Sequence, residues 1–98
     1  MRFDSGTTDI PTAGTRVRVN NIPDRVKAIQ FYNPNAGNIY YGRSDVASTN
    51  GITLATLSWS PPISFGNGSV AFSVFWADAA VNGYDIQWQV ILETGEDS

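Results

Sequence analysis

The chain has 98 residues, enough for one domain with a single core, and only 15% of them are charged, with a formal net charge of −3, against ~25% charged residues in ordinary domains. It contains no cysteine and no histidine, which excludes a disulfide framework, a thiolate metal site and the commonest general base, and with them most hydrolytic chemistry. A small acidic net charge also argues against sequence-independent nucleic-acid binding, which needs a concentrated basic surface.

The few charges are unevenly placed. All six basic residues (Arg2, Arg16, Arg18, Arg25, Lys27, Arg43) precede Ser44, together with three aspartates, and the remaining six acids follow with no base among them. Such asymmetry favours oriented docking against an acidic partner. No apolar run approaches the length of a membrane span, and the first six residues lack the apolar centre of a signal peptide, so no membrane partner is expected and the product should be soluble and made in a cytoplasm.

Residues 1–14 show no periodicity and read as an extended N-terminal arm, either a disordered leader or a segment that orders against a neighbouring subunit. A domain over 15–93 follows. Thr15-Arg16-Val17-Arg18-Val19 alternates, placing Val17 and Val19 inward and the arginines outward. After a turn cluster over 20–24, the run from Arg25 to Tyr32 reads as a second strand with Ile29 and Phe31 inward. Residues 33–38 are a loop by composition, and 38–43 a short third strand.

Ser48-Thr49-Asn50-Gly51 is expected to be a rigid turn, because Ser, Thr and Asn bond nearby backbone groups and Gly51 tolerates a positive φ. From Leu57 to Trp76 two alternating runs flank Asn67-Gly68, the pattern of a β-hairpin. Pro61-Pro62 makes its first arm an edge strand, or a bent one. A second Asn-Gly signal, Asn82-Gly83, precedes a long regular strand over 84–92, with Ile86, Trp88, Val90 and Leu92 inward and a central position in its sheet. Residues 94–98 form an acidic tail.

The stretch from Ile39 to Leu54, a strand, a glycine, then Ser44-Asp45-Val46-Ala47-Ser48-Thr49-Asn50-Gly51 and an apolar pair, resembles small virion proteins of tailed bacteriophages and prophages. The similarity extends over roughly 15–92 through Val74-Phe75-Trp76-Ala77-Asp78 and Asn82-Gly83-Tyr84-Asp85-Ile86-Gln87-Trp88. The chain departs from that pattern after Leu54, where Ala55-Thr56-Leu57-Ser58-Trp59 and a double proline stand in place of a Pro-Gly-Glu type turn. The resemblance implies a jelly-roll-like β-sandwich that decorates a phage particle, often as a trimer on the capsid surface.

Together these observations give the expected fold, an all-β antiparallel β-sandwich or small jelly roll of six to eight strands with an extended N-terminal arm. The expected function is structural and non-enzymatic. The chain would be a capsid decoration (cement) protein of the virion, made in the host cytoplasm, a homotrimer partnered by the major capsid protein. Arg16, Arg18, Arg25 and Lys27 are the candidate capsid contacts. Tyr40, Phe75 and Ile91, which fall out of the inward phase, are candidates for self-association if they share one outer face. Trp59, Trp76 and Trp88 fall in the inward phase. The alternative is a carbohydrate- or receptor-binding module on a phage head fibre or tail, with Tyr40 in its binding surface. Asp45, Asp78 and Asp85 lie at loops or strand ends, but no Asp-x-Asp-x-Asp spacing supports a calcium site, and neither metal nor cofactor is assigned.

Overall fold

The computed structural model describes residues 2–21 and 24–93; Met1, the Ile22-Pro23 part of the expected turn and the expected acidic tail lie outside the described residues. Among these residues run nine strands: β1 (Arg2–Ile10), β2 (Val17–Arg18), β3 (Arg25–Tyr32), β4 (Ile39–Gly42), β5 (Ile52–Leu54), β6 (Ile63–Ser64), β7 (Val70–Ala71), β8 (Trp76–Ala79) and β9 (Tyr84–Leu92). A single 3-10 turn, Phe72–Val74, sits between β7 and β8. All pairings are antiparallel. One sheet runs β1-β9-β3 and ends on β6 and β7, which both pair with β3; the other runs β2-β8-β4-β5. The result is a small all-β sandwich whose inner faces share one core.

That core follows from period-two alternation in β9 and in β3 beyond its bulge at Lys27. Ile86, Trp88, Val90 and Leu92 of β9 and Val26, Ile29 and Phe31 of β3 face Ile39, Tyr41, Leu54, Ala77 and Ala79 of the other sheet. Phe31 is at its centre, with ring centroids of Tyr41 at 4.9 Å and Phe75 at 5.9 Å. Phe72 meets Trp88 edge-on at 5.0 Å, a favoured aromatic geometry. As expected, β9 is central, between β1 and β3.

The N-terminal segment expected as an arm is extended, but Arg2–Ile10 pairs along its whole length with β9 of the same chain, from Arg2↔Leu92 to Ile10↔Tyr84. Its lack of periodicity has a physical cause. Gly6 lies opposite Trp88, and a Cβ there would come within 2.6 Å of Trp88 Cζ2. Next along, the Trp88 Nε1–H donates to Thr8 Oγ1 at 3.1 Å, and the Thr8 hydroxyl donates to the Val19 carbonyl. The indole of β9 thus fills the space that side chains of β1 would otherwise occupy, so β1 needs no apolar alternation of its own.

The hairpin expected around Asn67-Gly68 does not form. β6 and β7 do not pair with each other; each pairs with β3, Ile29↔Ile63 and Ala28↔Ser64 for one, Val26↔Val70 and Arg25↔Ala71 for the other. With the Tyr32↔Trp59 bridge, residues 58–72 make one interrupted edge strand along β3, bounded by Asn33 N–H to Ser58 O (3.0 Å) and Phe72 N–H to Asp24 O (3.0 Å). The turn is an excursion from this strand, closed by Gly68 N–H to Phe65 O at 2.9 Å. Its positive φ, 61°, falls on Gly66, as at the first central position of a type II′ turn. The count is nine rather than six to eight because the expected arm is itself a strand, β1, and the 3-10 turn divides the expected second hairpin arm into β7 and β8.

Two phase reversals follow. Between Tyr32↔Trp59 and Ile29↔Ile63 the proline-bearing strand spends one residue more than β3, a bulge that turns Trp59 outward (53% exposed) and Ser60 inward. Ser60 Oγ then accepts the Phe31 N–H at 2.8 Å. The second reversal is the 3-10 turn, which breaks the apparent run Val70-Phe72-Val74-Trp76: Phe72 is buried, Val74 exposed, Phe75 packs against the core and Trp76 faces out. Of the three tryptophans expected inward, only Trp88 is in the core. The Ser48–Gly51 turn is as expected, with Ala47 and Asn50 exchanging N–H···O bonds and Gly51 at φ 135°.

Candidate functional site

The outer face of the β2-β8-β4-β5 sheet gathers basic residues around one tryptophan. Register places Arg18 opposite Trp76 and Val17 opposite Ala77, so Val17 packs against the core while arginine and indole share the outer face. The Arg18 guanidinium carbon lies 5.0 Å from the Trp76 ring centroid, inside the ~6 Å reach of a cation–π contact. Arg18 Nη1 also donates to Asn21 Oδ1 at 3.2 Å. On the other side of β8, Gly42 is opposite Trp76, and the chain leaves the sheet there through Arg43.

Arg16 reaches the same place on a pinned loop. Asp78, only 2% exposed, accepts the Gly14 N–H at 2.9 Å and the Ala79 N–H at 2.8 Å through Oδ1. Asn82 Oδ1 accepts the Ala13 N–H at 2.8 Å. Two open depressions meet at Trp76, one of about 580 Å³ reaching Arg16, the other of about 500 Å³ reaching Arg18 and Arg43. No acidic residue lines either one. Among the described residues none of these three arginines forms an ion pair; the salt bridge there is Arg2–Asp24 at 2.9 Å. Guanidinium groups beside an indole, with no carboxylate among the described residues to neutralise them, suit an anionic protein surface, which they contact bidentately.

The four expected capsid contacts are therefore divided. Arg16 and Arg18 belong to the Trp76 cluster, whereas Arg25 and Lys27 are on the other sheet. There Arg25 donates to Ser69 Oγ (3.2 Å) and Ser69 O (2.7 Å), and Lys27 sits at the bulge between Val26 and Ala28. The three residues expected to form one self-association patch are separated as well. Tyr40 is on the outer face of β4, Phe75 packs inward against Phe31 and Phe65, and Ile91 is on the outer face of β9, opposite Phe3. Sequence reasoning missed Arg43 and Trp76, the first because the strand expected over 38–43 ends at Gly42 and leaves Arg43 outside the sheet, the second through the phase reversal at the 3-10 turn.

The aspartates weighed as calcium ligands lie apart in function. Asp78 anchors backbone, Asp45 is exposed in its loop, and Asp85 stands across from Asp9. A hydrogen bond shared with the Asp9 carboxyl, reinforced by partial burial and by the Asp9 charge, pushes the Asp85 pKa above the usual carboxylate value. Among the described residues no group of three or more acidic side chains converges on a metal site. Comparison with protein-family models, curated proteins and solved structures gives no match.

Proposed function

We propose that the chain is a capsid decoration protein that docks its β2-β8-β4-β5 sheet on an acidic surface of an assembled phage shell. One observation carries this reading: Arg16, Arg18 and Arg43, unpaired by acids among the described residues, surround Trp76 on a chain whose net charge is negative. Arginine and tryptophan are the residue types that dominate docking hot spots, and an uncompensated basic patch on an acidic protein orients its approach. The resemblance of the Ile39–Leu54 stretch to phage virion proteins supports the setting, with the major capsid protein as partner on the virion surface. Binding the assembled lattice and not free subunits stabilises the shell by mass action.

Charge reversal tests the proposal. Arg16→Glu with Arg18→Glu changes two exposed side chains and leaves the core untouched. Co-sedimentation with shells assembled without the protein should show affinity reduced by about tenfold or more, equivalent to ~1.4 kcal/mol, and wild-type binding should weaken as salt rises. Unchanged occupancy by the double variant would sink the reading. Self-association as a homotrimer is part of the same proposal, and its surface is the Phe3–Ile91 pair, where both residues are exposed. A trimeric solution mass that falls to a monomer in Ile91→Asp supports this; a mass unaffected by the substitution contradicts it.

A further inference from the structure

The outer face of the other sheet differs in chemistry. A shallow groove of about 380 Å³ crosses it, between Ser5 and Thr7 of β1 on one side and Trp59 on the other, with Gln87 and Gln89 along its floor. That volume is within the ~300–1,000 Å³ of sites that hold small ligands. No residue lining it is charged. Trp59 is 53% exposed, yet it is not loose: it bridges to Tyr32 in the sheet, and its ring lies 4.8 Å from that of Tyr32.

The polar groups are fixed in the same way. Gln89 Nε2 donates to Gln30 Oε1 at 2.8 Å, and Gln30 Nε2 donates to the Ser60 carbonyl at 2.9 Å. This relay holds the Gln89 amide with its own oxygen available as an acceptor. The side chains of Ser5, Thr7 and Gln87 have no hydrogen-bond partner among the described residues, and register sets them in rows, Ser5↔Gln89 and Thr7↔Gln87. Beneath them Trp88 is locked by Gly6 and Thr8, so the floor is rigid.

We infer that this groove binds an uncharged oligosaccharide, with a pyranose ring stacked on Trp59 and its hydroxyls hydrogen-bonded by Gln87, Gln89, Ser5 and Thr7. The lining matches that ligand in charge and in kind. A sugar ring offers an apolar C–H face to a flat indole and several hydroxyls that both donate and accept, which is what amides and hydroxyls complement. An anionic ligand would find no cation here. The groove is on the opposite face from the Arg16, Arg18, Arg43 and Trp76 cluster, so shell docking and sugar binding can each fail alone, whereas the Phe3–Ile91 pair is on the groove's own face, one row from Ser5 and Gln89. The site also differs from a platform at Tyr40, which is on the other sheet.

The experiment is an NMR titration of the intact chain with cellohexaose and, separately, with chitohexaose. Saturable shifts of the Trp59 indole N–H and the Gln87 and Gln89 side-chain amides, with a dissociation constant of roughly millimolar or tighter, are expected for at least one of the two. Trp59→Ala, which removes an exposed ring and leaves the core unchanged, should weaken binding about tenfold or more, and Gln87→Ala should weaken it without altering the thermal midpoint. The absence of a saturable shift with either sugar would overturn the inference. Shifts that map to other residues, or that survive Trp59→Ala unchanged, would do so equally.

Discussion

At the scale of single residues, one of the tightest fits is between Gly6 and Trp88. Because any Cβ at position 6 would overlap the indole, and because buried Trp88 packs edge-on against Phe72, neither side can give way cheaply. Gly6→Val should destabilise the fold by about 1–3 kcal/mol in urea unfolding, the usual cost of overpacking. Ser5→Ala, on the outward side of the same strand, should stay within ~0.5 kcal/mol. The Asp9–Asp85 pair sets a pH dependence of definite sign. Its raised folded-state pKa means that Asp85 binds a proton more tightly in the folded chain than in the unfolded one, where the value is near 3.8. This contribution to stability is complete below that value and is lost as pH rises through the folded-state pKa. Removing the opposing charge with Asp9→Asn should therefore raise stability at neutral pH, by no more than about 0.5 kcal/mol, since Asp9 is exposed and Asp85 only partly buried. The gain should vanish in acid; a gain that persists below the unfolded pKa contradicts this assignment.

At the scale of elements, Asn33 joins the two sheets where β3 ends. It is fully buried, and its Nδ2 donates to Gly37 O and Leu54 O, both at 2.9 Å, while Oδ1 accepts from Asn35 N (2.9 Å) and Asn35 Nδ2 (2.7 Å). Asn35 in turn donates to Asp85 O and accepts the Asp85 N–H, so the 33–38 loop ties β5 to the start of β9. Asn33→Ala would strand several buried polar groups and should cost about 2–3 kcal/mol, measured by thermal or urea unfolding. Composition marked this segment as a loop, but its clamping role depends on partners 21 and more residues away and leaves no local trace. The same contrast holds across the fold. β9, and β3 beyond its bulge at Lys27, were legible because each is long and buried on one face, so that Ile29, Phe31, Ile86 and Val90 fall where alternation puts them. Trp59, Phe75 and Trp76 were not, since a double proline and a 3-10 turn each reverse the phase of an otherwise regular pattern. β1 was legible only as extended chain, because its apolar contact comes from the Trp88 of another strand.

For the whole molecule, the two sheets present outer faces of different chemistry. Early basic residues reach the β2-β8-β4-β5 face through β2, the loop before it and the end of β4, while glutamines and small hydroxyl residues of β9 and β1 line the other. Arg16 and Arg18 could be read outward from the alternation of β2 alone. Their meeting with Arg43 and Trp76 could not, because it depends on β8 pairing with both β2 and β4. The most direct measurement is a cryo-electron microscopy map of shells decorated with the wild-type chain, into which the sandwich can be fitted to show its orientation. The face bearing Arg18 and Trp76 should lie against the shell, over an acidic surface, with the groove beside Trp59 turned to solvent. Shells without added density, or a sandwich bound with its arginine cluster facing outward, would contradict the proposed docking.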